Sequence, residues 1–276
     1  LSIRPSLINI GMPIKKNSIF YAAIKSEEDK GYIIDIGRKG YLCFLPFTGP
    51  DGKKRNLKVG QPVYVRIIKA DENSNNLTFD LIDTDSSFPT VIESAPQFDE
   101  IRPFTVIDSV VKTNPPSGAL KLQVGGIFSG VCPKFSWPAG KNQGDHVNVR
   151  PLLIDPAQKL LWMSAIPTIV DGLRPTCYDV KLGEIIDAEV LRIRSGVGIE
   201  CILKRNGKDI RIFIDFATTE ADSTIAAGDT HRVRIIERRP IDDLLFAADD
   251  KETLNLQVFS VEDAEVGKVY DGTVVQ

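Results

Sequence analysis

Three glycines set the strongest constraint on this chain. Gly60, Gly144 and Gly228 stand 84 residues apart, and each opens an alternating apolar run: "VGQPVYVRII" from Val59, "QGDHVNVRPLLI" from Gln143 and "AGDTHRVRIIER" from Ala227. The same offset joins "LTFDLI" at Leu77 to "LWMSAI" at Leu161, and a similar run, "LLFAAD", begins at Leu244. Self-similarity at a fixed period means that one supersecondary unit is built more than once. The flanks extend the pattern: "GKVYDGTVV" lies 84 residues after "GEIIDAEVL", and "LSIRPSLI" at the start resembles "MSAIPTIV" from Met163. The expectation is three divergent copies, preceded by the closing strand of one further copy and followed by the opening strand of another.

Within the first copy, five strands are expected at about 15–25, 31–37, 40–46, 62–69 and 76–83. Tyr32, Ile34 and Ile36 alternate with Ile33 and Asp35, and Tyr41, Cys43 and Leu45 alternate with Leu42 and Phe44, the period-two signature of a strand with two faces. Gly37-Arg38-Lys39-Gly40 closes that pair as a hairpin. "TGPDGKKRNLKVG" is the long connection before strand four. Five strands with a long connection between the third and fourth suit a small Greek-key barrel of the OB type. The expected fold class is therefore all-β, with three tandem five-stranded OB-type barrels and partial repeats at both ends. The boundaries fall at 1–10 for the preceding repeat's closing strand, 11–85, 97–168 and 181–250 for the three repeats, 86–96 and 169–180 for proline-bearing linkers, and 251–276 for the opening of a following repeat.

"GYIIDIG" with "FLP", then "VGQPVYVRII" and "NLTFDLI", resemble the S1 domain, an OB-type RNA-binding repeat. With "LSIRPSL" closing a preceding repeat, the wording is similar to the eukaryotic family of ribosomal RNA processing protein five, a tandem array of such repeats. The resemblance is specific in the first repeat, and the second and third are placed mainly by the 84-residue spacing. It implies a non-catalytic scaffold of the nucleus and nucleolus that contacts pre-ribosomal RNA, or single-stranded RNA generally, and ribosome-assembly proteins. RNA-binding members carry two aromatics around the strand-two glycine, one just before it and one two places after. Here those places hold Lys30 and Ile33; Tyr32 is one residue off and points to the barrel core. The family's strand-three histidine falls on Cys43, and its basic residue at the end of strand five falls near Asp80 or Asp83. The second repeat's hairpin, "GALKLQVG", offers Leu120 and Lys121 but no aromatic, and the third's "GVGIECIL" offers none.

Charge is then what remains for RNA. Lys30, Arg38, Lys39, Lys53, Lys54, Arg55 and Arg66 are the candidate RNA-binding residues, with Lys53 to Arg55 reading equally well as a solvated loop. The chain's net charge of −3 excludes a protein devoted to clamping bare phosphate. Its distribution favours the N-terminal half: residues 11–85 carry 12 basic and 10 acidic side chains, residues 97–168 carry 7 and 5, residues 171–250 carry 12 and 16, and the rest from Lys251 carries 2 and 5. Missing aromatics and an acidic third repeat keep open a protein-interaction or spacer module, and RNA-delivery repeats of a translation or RNA-decay protein are a third possibility.

Other chemistry finds little support. Cys43, Cys132, Cys177 and Cys201 are far apart and read as buried free thiols rather than disulfides or metal ligands. His146 and His231 sit near the start of strand four in successive copies, an architectural echo and not a metal pair. No nucleophile motif, phosphate loop or zinc spacing is present, so neither an enzyme, a cofactor nor a small-molecule substrate is expected. The longest apolar stretches are interrupted every few residues, which predicts no membrane segment and no signal peptide. Trp137 reads as a lid over one barrel end or an exposed partner anchor, and Arg238 and Arg239 as a surface salt network or as contacts to RNA or an acidic tail.

Overall fold

A computed structural model describes residues 14, 16–37, 40–50, 52, 54–71, 75–82, 91–92, 98, 101, 105–113, 119–138, 140–155, 159–194, 196–216, 225–259 and 263–270. The expected closing strand at 1–10 lies outside the described residues, as do Arg38, Lys39 and Lys53. The chain divides into two units, Leu1–Pro175 with Pro240–Asp243, and Thr176–Arg239 with Leu244–Gln276.

The first unit begins with β1 (Ile19–Glu28), β2 (Gly31–Asp35), β3 (Leu42–Pro46), β4 (Pro62–Asp71) and β5 (Asn76–Leu81). β1 pairs with β2, β2 with β3, β5 with β4 and β4 with β1, all antiparallel, while β3 and β5 pair in parallel. The five strands thus close a ring. Alternation decides its inside: Tyr32 and Ile34 of β2, Cys43 and Leu45 of β3, and Leu77 and Phe79 of β5 are all buried. Phe20 meets Phe79 edge-on at 6.1 Å. Each such fully buried large side chain contributes roughly 1.5–3 kcal/mol relative to exposure.

A short β6 (Val91–Ile92) runs parallel to the start of β7 (Val106–Thr113). With β8 (Leu120–Val124), β9 (Phe128–Cys132), β10 (His146–Asp155) and β11 (Leu160–Ser164), β7 forms a second ring, closed by the parallel β9–β11 and antiparallel β10–β7 pairs. Ile19 and Phe20 of β1 also pair with Ile154 and Leu153 of β10, so both rings belong to one 11-stranded sheet. The run Phe20–Ile24 is buried on both faces, which is why it is apolar throughout instead of alternating. Tyr21 packs edge-on against Tyr64 at 5.3 Å, and the Tyr64 hydroxyl donates to the Pro151 carbonyl. Leu152, Leu153, Ile166 and Ile169 join the first ring's core, making the two rings one packed body.

The second unit closes a barrel from β12 (Ile185–Arg194), β13 (Gly198–Arg205), β14 (Lys208–Asp215), β15 (Thr230–Arg239) and β16 (Leu244–Ala248), with β14–β16 as its parallel pair. After β16, α1 (Lys251–Leu254) starts at Asp250, whose carboxylate accepts from the Thr253 amide.

The spaced glycines now have a physical explanation. Gly60, Gly144 and Gly228 adopt φ of 84°, 92° and 94°. Their amides donate to the carbonyls of Ile24, Val111 and Val190 in the first strand of each ring, each at 2.8 Å. Only a residue without Cβ takes this left-handed turn cheaply. The strand that follows carries a register shift after Ile67, Pro151 and Ile235, again 84 residues apart.

Candidate nucleic-acid interface

On the outer face of the first ring a row of side chains crosses the strands. Lys69 of β4 stands opposite Thr78 of β5, Thr78 beside Phe44 of β3, Phe44 opposite Ile33 of β2, and Ile33 opposite Ser26 of β1. Phe44 and Ile33 are half-buried, Lys69 is exposed, and Leu42 on the adjoining row is 52 % exposed beside Asn76. The Phe44 ring lies across Gly31: a Cβ on that glycine would meet the ring at 2.7 Å and would also collide with the Leu45 carbonyl. Glycine at the start of β2 therefore lets an aromatic ring approach the strand backbone closely, with Lys30 exposed nearby in the chain. An aromatic platform flanked by hydrogen-bonding groups and lysines is what single-stranded nucleic acid needs, stacking being worth about 1–3 kcal/mol per base.

Tyr32 has the opposite orientation. It is 2 % exposed, meets Phe47 edge-on at 5.0 Å, and its hydroxyl accepts from the Leu57 amide at 3.0 Å and donates to the Arg55 carbonyl at 3.4 Å. It pins the long connection to the barrel. Among the other candidates, Lys54 is exposed with its Nζ 5.9 Å from the Phe47 ring, and Arg66 is exposed opposite Asp80. Arg55 is engaged elsewhere: its guanidinium is ion-paired with Asp80 and donates to the Pro46 carbonyl at 3.1 Å. Asp80, standing where the resemblance calls for a basic residue, is thus the counterion of the loop.

Sequence reasoning missed Phe44 and Lys69. The aromatic against the strand-two glycine comes from strand three, where spacing around the glycine itself does not point to it. The register shift after Ile67 breaks the alternation that would have assigned Lys69 a face.

The corresponding faces of the other rings differ. In the second ring Val131 occupies the strand-three position and Trp162 stands beside it, packed against the first ring's core. In the third, Phe213 lies over Gly198 as Phe44 does over Gly31, with a Cβ there 2.6 Å from the ring. Yet Phe213 is 1 % exposed and meets the buried Phe246 edge-on at 5.7 Å, with the Arg239 guanidinium 5.6 Å from the Phe246 ring. Arg192 and Arg194 both bind Glu200, at 2.5 and 2.6 Å. Arg238 donates to the Cys177 and Val180 carbonyls and stacks on Tyr178, so it ties down the segment ahead of the barrel. Trp137 is buried in the second ring's core.

His146 bonds Asp108 at 2.8 Å and His231 bonds Asp249 at 2.6 Å, each within its own ring. Among the described residues no group of His, Cys, Asp or Glu could hold a metal ion, and no helix is long and apolar enough to cross a membrane. All four cysteines are free and buried; burial pushes Cys43 and Cys201 up to about 12 and raises Cys132 as well.

Small closed five-stranded rings, each with a single parallel junction between its third and fifth strands, define an almost wholly β protein built from barrels of the OB type. No family model matches the sequence. Along its whole length, however, the chain is similar to RRP5 proteins: 25 % identical over 295 residues to the rRNA biogenesis protein RRP5 of Arabidopsis thaliana, and 25 % identical over 309 residues to the Protein RRP5 homolog of Homo sapiens. With the rRNA biogenesis protein RRP5 of Drosophila melanogaster it shares 22 % identity over 97 % of its own length. The chain spans 15 %, 16 % and 20 % of these three relatives, in the order Arabidopsis, human and Drosophila. Among solved structures, a multidomain protein with nucleic acid binding domains from Streptococcus pneumoniae overlaps 84 % of this chain and 73 % of its own, at 15 % identity and a TM-score of 0.22, too low to bear on the fold.

Proposed function

We propose that this chain is a non-catalytic RNA-associated segment of a ribosome-biogenesis scaffold, working in the nucleus and nucleolus on pre-ribosomal RNA alongside assembly proteins. Its three rings are divergent S1-like repeats, at 11–85, 97–168 and 181–250, with linkers between them and the opening of a further repeat after residue 250. The half-buried Phe44 over Gly31, on a face edged by Lys30 and Lys69, carries the reading. The similarity to a stretch of RRP5 proteins, along the whole of this chain, supports the cellular setting. RNA is taken by the first repeat through base stacking on Phe44, with Lys30, Lys54, Arg66 and Lys69 tracking phosphates, and with Arg38, Lys39 and Lys53 as further candidates. Arg55 is left out of this set because Asp80 neutralises it. In the third repeat, where Phe213 is buried and residues 171–250 carry a net −4, protein contact is the better reading.

Fluorescence anisotropy of a labelled single-stranded RNA, titrated at several salt concentrations, tests this. Neutralising three or four phosphates gives a slope of log K against log salt of about −2 to −3, with dissociation constants on the order of micromolar at low salt. Absence of binding at low salt would leave the spacer or protein-docking reading.

A further inference from the structure

The first strand of each ring, β1, β7 and β12, carries one extra residue where its register to the second strand shifts: Lys25, Lys112 and Leu191. On its other side β12 is covered by β15 only as far as Val190, whose amide donates to the Asp229 carbonyl and whose carbonyl accepts from the Gly228 amide, both at 2.8 Å. Among the described residues no strand runs beside the far side of Leu191–Arg194, so this stretch of β12 is an open edge. Such an edge is a template for another strand, and charged side chains on it, lysine above all, ordinarily prevent addition. The first ring follows that rule with Lys25, Glu27 and Glu28 exposed, and the second with Lys112 exposed. The third departs from it: Leu191 is 46 % and Ile193 42 % exposed.

The charge along this edge is positive. Arg192 and Arg194 share one carboxylate, Glu200, at 2.5 and 2.6 Å. Burial holds the Arg194 guanidinium below its ordinary value, and Arg192 and Arg211 push the same way against the pull of Glu200. Asp229, where the cover of β15 ends, accepts from the Ala226 amide at 2.7 Å. We propose, on the reading that the third repeat contacts protein, that Leu191–Arg194 takes up an added strand from a partner, an extended segment in which acidic and apolar residues alternate. The partner's backbone pairs with the open edge, its apolar side chains cover Leu191 and Ile193, and its carboxylates meet Arg192 and Arg194. Arg192 is within reach, its side chain being 37 % exposed. RNA has no amides and carbonyls in alternation to offer a strand edge, and the outward Phe213 of this ring is buried.

The test follows the assigned backbone amides of the ¹⁵N-labelled chain by NMR. The probes are acetyl-Val-Glu-Val-Glu-Val-amide, its Lys counterpart and a single-stranded RNA, at matched ionic strength. The proposal expects saturable shifts of the Leu191–Arg194 amides with the Glu peptide. It expects binding weaker by about tenfold or more for the Lys peptide, and for the Glu peptide added to Leu191→Lys. Lysine stands at this bulge in the other two rings, and an unchanged spectrum away from the edge checks that the variant folds. No shift at these amides with the Glu peptide, equal binding of the Lys peptide, or undiminished binding to a folded Leu191→Lys would overturn the edge as a docking site. RNA shifting the amides of the third ring where the Glu peptide does not would overturn the protein-contact reading as well, so the two failures are told apart.

Discussion

Replacing Tyr32 with Phe separates the two faces of β2 more cleanly than any truncation. The ring stays, so its packing against Phe47 in the first core is retained, and only the hydroxyl is lost. That hydroxyl accepts from the Leu57 amide at 3.0 Å and donates to the Arg55 carbonyl at 3.4 Å, and the second bond is too long to contribute much. An orphaned buried donor costs about 1–3 kcal/mol. Leu57 is half-buried, so water reaches part of the vacated site and the cost falls near about 1 kcal/mol. In a unit of this size that lowers Tm by about 2–4 °C. Scanning calorimetry reads the shift, and RNA anisotropy on the same samples reads affinity, which stays within twofold of wild type. Unchanged Tm with a clear loss of RNA affinity would show that the hydroxyl faces RNA, and the reasoning about the faces would fail.

Other perturbations have equally definite outcomes. Gly144 and Gly228 have open space where a Cβ would project, so Ala at either position costs only its left-handed backbone, about 1–2 kcal/mol by chemical denaturation. The hydrogen bond from Arg205 holds the Glu184 carboxyl below its ordinary value. Its contribution to stability is present above the unfolded-state value and disappears as pH falls through the folded one, so Glu184→Gln flattens the acid limb of a stability-against-pH curve. Both side chains are about a third exposed, which keeps the effect under about 1 kcal/mol. Ellman's reagent at pH 8 finds none of the four thiols in the folded chain and all four in denaturant, because each is buried and burial raises Cys43, Cys132 and Cys201.

Strand positions were legible in the sequence wherever a strand has one wet face. β2, β3 and β5 fall within a few residues of their expected limits because alternation records burial directly. β1 is different: the unbroken run Phe20–Ile24 signals burial on both sides but does not say against what, and the partner is β10 of the next ring. The 84-residue glycine spacing survived divergence because a left-handed turn with a fixed hydrogen bond tolerates little else. The interface was harder to read. Arg55 and Asp80, 25 residues apart, neutralise each other only after the long connection folds back over β3. Lys69 changes face through a register shift that composition cannot reveal, and Phe44 and Phe213 occupy equivalent places over a glycine yet differ in exposure, Phe213 meeting the buried Phe246 edge-on.

Whether RNA stacks on the outer face of the first ring is decided by Phe44→Leu. Leucine keeps apolar cover over Gly31 but removes the π face, so circular dichroism and Tm serve as folding controls. If RNA stacks there, single-stranded RNA affinity falls by roughly 5- to 150-fold at low salt, the equivalent of one lost stacking contact, with the salt slope unchanged. Affinity equal to wild type, in a variant that folds and melts normally, would contradict it.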